Sequence, residues 1–422
     1  PEVVAFMDRF QPVKLRNGKT LYWKPDLSSY ARDTLPATGS LPDAQGLHRH
    51  QGKKLLPLDQ THYAVNDHEI PGQLRIEHPS RTDTYEPVVR HNGEGAFHTE
   101  LENPLRWDTN TALQRIGHSV EAFTPAQRER ILKISGYTED GLRKMHMNQE
   151  RVPPLLADTI ERFRIDRDLQ AFIEQITSDE PTVYREADPL IQLQLLNEQG
   201  LWPKTRRLRL IDAEGATLWQ SSDDVQLPLT DVHVNRLIDD DLLKTLLRAL
   251  DETEISPLLN EEFGQKIALD ARVRQLRSRL AQIARQQRPA LFEQRYESSQ
   301  HRATPLVKQV ARHVPNLPVR ITEELIHTAT GTELMQLSED VLPERQQQLS
   351  ETALHELRIT RAYEGLEIDS VHNQDSETLA LHSLPLLPGW SDTVSLEVRD
   401  QSFAGKRLDT TGPMGAPIEK IL

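Results

Sequence analysis

One stretch of this chain occurs twice, and that repeat constrains the architecture more than any other feature. Residues 193–212 (LQLLNEQGLWPKTRRLRLID) align without a gap on residues 381–400 (LHSLPLLPGWSDTVSLEVRD) at an offset of 188. The identical pairs are Leu193/Leu381, Leu196/Leu384, Trp202/Trp390, Thr205/Thr393, Leu208/Leu396 and Asp212/Asp400. Each copy is followed by a glycine turn with a leucine-bearing strand (EGATLWQ, AGKRLDT) and then a further short strand (VQLPL, APIEKIL). Leu208 and Leu210 alternate with Arg207 and Arg209, the period of a strand with one buried and one wet face. Each copy is therefore expected to form a small β-meander. Two copies make a duplication, whereas a solenoid needs a longer array.

The remaining sequence reads as modules around this pair. A chain of 422 residues exceeds what one hydrophobic core usually supports, so several are expected. Residues 1–107 read as a β-rich module. KLRNGKTLYW places Asn17-Gly18 between apolar runs, a hairpin signal, and KKLLPL, THYAV and QLRIEHP read as short strands. Residues 108–180 read as a helical module. There Thr124 is an N-cap, Pro125 a first helical residue and Gly136 a stop, and a second helix begins at TEDGLRKMHM. A longer helix after Pro153-Pro154 keeps Leu155, Leu156, Ile160, Phe163, Leu169 and Phe172 largely on one side. Residues 181–236 hold the first meander and 371–422 the second. Between them, 237–370 read as a helical hairpin region, with Asp239 to Asp241 at a helix start and a seam of Leu269, Val273, Leu276, Leu280 and Ile283 ended by Pro289. The fold class expected is α+β.

Composition removes several kinds of chemistry. The net charge of −14 opposes general affinity for nucleic acid or an anionic membrane. The helix-turn-helix cadence of RERILKISGYTEDGLRKMHM does not change that, because its second helix carries few base-reading groups. No run approaches the ~18 apolar residues of a membrane span. With no cysteine, disulfides, thiolate metal sites and cysteine nucleophiles are excluded. A chain that starts at Pro1 reads as a segment of a longer protein.

Candidate sites are few. VVRHNGEGAFH (88–98) sets two glycines between two histidines, but no GxGxxG or GxxxxGK[ST] unit exists, so Gly93 and Gly95 are read as turn residues with positive φ. No cofactor-binding motif follows. Eight of the 16 histidines lie between His48 and His118. His48, His50, His62 and His91 form the alternative site, for metal or acid–base chemistry with Asp59 or Asp67, although their spacing is irregular and no metal is assigned. Glu261-Glu262 and Asp239 to Asp241 are read as helix-start carboxylates, not as general acid–base pairs. Residues 265–312 carry eleven Lys or Arg against three acids. Arg272, Arg274, Arg277, Arg279 and Arg285 form the candidate interaction face for an acidic partner; the competing reading is a helix face whose arginines pair with acids of the same chain.

Three segments together carry a family resemblance: YAVNDHEIPGQLRIEHPSRTDTYEPVVRHNGEGAFHTELENPLRW, ILKISGYTEDGLRKMHMNQERVPPLLADTIERFRID and LHSLPLLPGWSDTVSLEVRDQSFAGKRLDTTGP. They resemble the central region of very large bacterial toxin-like proteins with a dermonecrotic-toxin-type N-terminal region, many ending in leucine-rich repeats and a novel-E3-ligase (NEL) domain. That ligase uses a catalytic cysteine, which this chain lacks, so no catalytic residue is carried over. What the resemblance implies is context: a secreted virulence effector or toxin, made in the bacterial cytoplasm and delivered to a target cell. This segment is then a non-catalytic scaffold upstream of an effector domain, binding a protein partner or adjacent domains of its parent chain.

Overall fold

The computed structural model describes residues 9–33, 36, 40–260, 267–300, 304–390, 393, 395–399, 407–411 and 418–421. It is an α+β structure, as the patterns require. Two compact units emerge. One draws on Pro1–Phe163, Arg302–Glu367 and Asn373–Leu422, the other on Arg164–His301 and Ile368–His372.

In the first unit the Asn17-Gly18 signal closes a hairpin of β1 (Gln11–Lys14) and β2 (Thr20–Trp23). A six-stranded antiparallel sheet follows in simple sequence order: β3 (His48–His50), β4 (Lys53–Leu58), β5 (Thr61–Asp67), β6 (Gln73–Ile76), β7 (Val88–His91) and β8 (Phe97–Thr99). Because strand side chains alternate, one face collects Leu56, Leu58, Val65, Leu74, Ile76, Val89 and Phe97, and Trp23 and Tyr30 cover it. The segment VVRHNGEGAFH is the β7–β8 hairpin. Asn92 Oδ1 accepts from the backbone of Glu94 (2.9 Å) and Ala96 (3.1 Å), and Gly93 (φ 79°) and Gly95 (φ 104°) take the left-handed conformations its turn needs.

The helices beside this sheet start where their capping residues say. Thr124 forms a reciprocal capping box with Gln127 ahead of Pro125–Ser135, and Gly136 ends that helix at φ 71°. Together with Thr109–Gln114, Glu139–Asn148 and the start of Pro154–Thr177, it encloses Leu113, Ile116, Ile131, Leu142, Met145 and Leu156. Arg115 joins helix to sheet, donating to Glu102 (2.6 Å), Asp59 (3.2 Å) and the Phe97 carbonyl (3.2 Å). A second polar lock ties Pro154–Thr177 to Glu344–Glu367. Arg162 Nε lies 2.7 Å from Glu364, and Arg361 reaches Glu364 at 3.0 Å and Asp158 at 2.8 Å, with Asp158, Arg162 and Glu364 all buried.

The duplicated segment folds as a repeated unit, but not as a meander. The strand β9 (Arg207–Ile211) pairs antiparallel with β10 (Thr217–Gln220) on one side and parallel with β11 (Leu229–His233) on the other. The second copy repeats that order: β12 (Ser395–Arg399) lies between antiparallel β13 (Arg407–Thr411) and parallel β14 (Ile418–Ile421). The bounds of β9 and β12 differ by the same 188 positions as the aligned sequences. Alternation identifies a strand without saying which neighbour it pairs with. Here the third strand crosses to the free edge of the first, where Asp231 meets Arg209 in a bidentate pair (2.8 Å twice). As expected, Leu208 and Leu210 are buried and Arg207 and Arg209 are not.

The helical hairpin expected between the copies is also corrected. Among the described residues that stretch holds eight α-helices, from Leu242–Ala249 to Glu344–Glu367. Local start signals account for the difference, since Asp241, Asp251, Thr304 and Thr330 each cap the N-terminus of a new helix with a side-chain oxygen.

Candidate binding cleft

The helix Leu269–Gln286 organises the second unit. Its seam is as the spacing predicts: Val273, Leu276 and Leu280 are buried, and Leu269 and Ile283 are half-buried. Arginine fills much of the remaining surface, and the structure divides these arginines into two sets. Arg272 (7% exposed) and Arg277 (6% exposed) cannot present a docking face, which corrects the expectation for both. Arg272 grips Glu252 in a bidentate pair (2.9 and 2.8 Å), and its guanidinium holds that carboxyl below its ordinary range. Arg277 reaches Asp179 at 3.0 Å and stacks on the Tyr184 ring, 4.1 Å from its centroid. Arg279 donates to the Leu258 carbonyl at 2.5 Å. All three serve the fold; Arg272 and Arg277 pair with acids of the same chain, whereas Arg279 holds a backbone carbonyl.

Arg274 and Arg285 remain exposed, and each borders an open cavity. The first, about 490 Å³, is lined by Asp179, Tyr184, Arg185, Lys244, Arg274 and Arg277 among others. Within it Lys244 Nζ holds Asp239 (2.6 Å) and Asp270 (3.3 Å), and that ammonium, as hydrogen-bond donor and as charge, draws the Asp239 carboxyl below its usual range. Asp241, nine-tenths buried, caps Leu242–Ala249 by accepting from the Lys244 backbone at 3.1 Å. Of the aspartates read as helix-start groups, Asp241 caps and Asp239 instead pairs with Lys244 from a left-handed backbone (φ 52°). The second cavity, about 700 Å³, is lined by Glu174, Thr177, Ser178, Arg285, Arg288 and Asp369 among others. Arg288 is held there by Asp166 (2.8 Å) and Ser370 (2.8 Å), whereas Arg285 makes a single hydrogen bond among the described residues, to Thr177 Oγ1 at 2.9 Å.

Sequence reading missed Tyr184, Arg185 and Lys244. They come from separate elements, and no spacing signals their convergence. Glu261-Glu262, Lys266 and Arg302 lie outside the described residues.

The histidine alternative is only half assembled. His48 and His62 occupy the same sheet face with ring centroids 6.1 Å apart, and Ser40 Oγ lies 3.3 Å from His48 Nδ1. Burial pulls both imidazoles below their ordinary range; the neighbouring imidazoles, His118 beside His48 and His48 beside His62, add to it. His50 pairs across from Lys53 at the other end of β3, and His91 is used by the turn, accepting from the Gly93 backbone at 3.0 Å. Among the described residues no three His, Asp or Glu side chains are grouped so as to hold a metal ion. No helix of the described residues is long and apolar enough to cross a membrane.

The chain matches no protein-family model, no curated protein and no solved structure. Its site is therefore read from its own geometry.

Proposed function

We propose that this chain is a non-catalytic interaction segment of a large, secreted bacterial toxin- or effector-type protein, lying upstream of an effector domain of the ubiquitin-ligase kind. It holds a protein partner, or an adjacent domain of its parent chain, against the helix Leu269–Gln286. The observation that carries the reading is the division of that helix. One side is locked into a core by Val273, Leu276 and Leu280, while Arg274 and Arg285 stand exposed at two open cavities. Exposed guanidiniums beside concave surface supply charge-assisted hydrogen bonds to a partner without cost to the fold. The sequence resemblance supplies the toxin context.

The test places a photo-activatable cross-linking residue at Ser278, exposed on the same helix between the two arginines. In target-cell extract the chain should give discrete protein adducts that disappear when Arg274 and Arg285 are both changed to Glu. An identical adduct pattern from the charge-reversed chain would refute the reading.

A further inference from the structure

We infer that the two cavities form one groove for an extended acidic peptide of the partner, with one carboxylate held by Arg185 and Arg274 and a second by Arg285. This rests on the interaction reading above and specifies its ligand. The cavities adjoin: Ser178 lines one and the next residue, Asp179, lines the other, and both border the helix Leu269–Gln286. The lining of the smaller cavity is fixed beside this junction, because Arg277 is buried, stacked on Tyr184 and tied to Asp179.

Charge selects the ligand. The acids of the smaller cavity are already answered: Lys244 holds Asp239 and Asp270, Arg277 holds Asp179, and Asp241 caps a helix. The cations are not. Arg185 and Arg274 are exposed, and neither guanidinium makes a hydrogen bond or ion pair among the described residues. Arg285 keeps most of its donors after its bond to Thr177. Planar guanidiniums with open donors fit carboxylates. In the larger cavity Glu174 accepts from Gln170 at 2.8 Å, and Asp369 is exposed without an ion pair among the described residues. Asp369 disfavours a continuous acidic run and favours two acids with a neutral spacer.

Helix geometry sets the spacing. Arg274 and Arg285 are eleven positions apart, three turns, and therefore on one face about 16 Å from each other at ~1.5 Å per residue. An extended chain covers that in about five residues at ~3.3 Å each. The preferred peptide carries acids at positions i and i+5.

The experiment is fluorescence anisotropy of the 422-residue chain with labelled eleven-residue peptides of Gly, Ser and Gln. One has glutamates five apart, one has the same two adjacent, and one has glutamines in their place. The five-apart peptide should bind about 5- to 10-fold more tightly than the adjacent one, and weaken with added salt. Arg274→Glu and Arg285→Glu should each remove that preference, with the circular dichroism of each variant checked for an unchanged fold. Equal affinity for all three peptides would overturn the inference. So would a preference that survives both substitutions, or full displacement by inorganic phosphate at millimolar concentration, which would mark a bare anion site only. If the peptides fail while the Ser278 adducts still depend on both arginines, the acidic-peptide inference alone is lost. If the peptides behave as expected but the adducts ignore the charge reversal, the broader reading is lost.

Discussion

Replacing Gly117 by alanine should loosen the junction between sheet and helices in the first unit more than any other change to a glycine of the β7–β8 region. Gly117 precedes the short helix His118–Glu121 at φ 111° and ψ −152°, a region of backbone space closed to residues with a Cβ. A Cβ built there falls well inside contact distance of the Gly95 carbonyl oxygen and 2.9 Å from its carbon. Neither partner is a side chain that can swing away. The conformational cost is about 1–3 kcal/mol, and overpacking against backbone adds about 1–3 kcal/mol. A total of about 2–6 kcal/mol is expected. Gly93→Ala is the control, since Gly93 also has positive φ but open space where its Cβ would stand, so only the conformational cost of about 1–2 kcal/mol applies. Native-state hydrogen exchange is the assay, because it reads opening free energies segment by segment and needs no single global transition. Protection should fall in β7, β8 and Thr109–Gln114 by the larger amount for Gly117→Ala and by the smaller for Gly93→Ala. Equal losses from the two variants would refute the backbone-contact argument.

Three further outcomes follow from the same unit. Removing Arg162 by R162A leaves Glu364 buried opposite one guanidinium fewer and should cost about 3–5 kcal/mol, read as a shift in denaturation midpoint; a shift below about 1 kcal/mol would mean the lock is already hydrated. His146 is buried, 2.7 Å from the Ala112 carbonyl oxygen, and burial lowers its pKa to about 4, with His98 and Arg115 adding repulsion. Because the folded value lies below the unfolded one, the unfolded chain takes up the proton first. Stability is full above about pH 6.5 and should decline by up to about 3 kcal/mol as pH falls toward 4. H146Q should lack that part of the decline, so parallel pH profiles for the two proteins would contradict it. Thr124→Ala removes the hydroxyl that accepts from the Gln127 backbone, leaving only the residue-124 backbone to donate to Gln127 Oε1, and should cost about 1 kcal/mol, seen as faster exchange at the start of Pro125–Ser135.

Legibility followed the range of the interactions. Thr124, Pro125, Gly136 and Asp241 were readable because a cap is satisfied within four residues of itself. The Asn17-Gly18 hairpin and the glycines of VVRHNGEGAFH were readable for the same reason, since a turn's φ is a local demand. The seam of Leu269–Gln286 was readable as a period, but the fates of its arginines were not. Arg272 and Arg274 are two residues apart and equally charged, yet only Arg272 finds Glu252, twenty residues away.

The sequence by itself determined the α+β class, the positions of caps and turns, and the presence of two copies of one small sheet. These depend on periodicity and on conformations that neighbouring residues impose on one another. Tertiary structure alone decided that the third strand of each copy lies parallel beside the first, and that Tyr184, Arg185, Lys244 and Arg274 share one cleft. It also decided that Arg274 and Arg285 stay exposed while Arg272 and Arg277 are buried. Pairing across a sheet edge and the burial of a charge depend on groups distant along the chain, and a charge finds its partner only where packing brings one within reach.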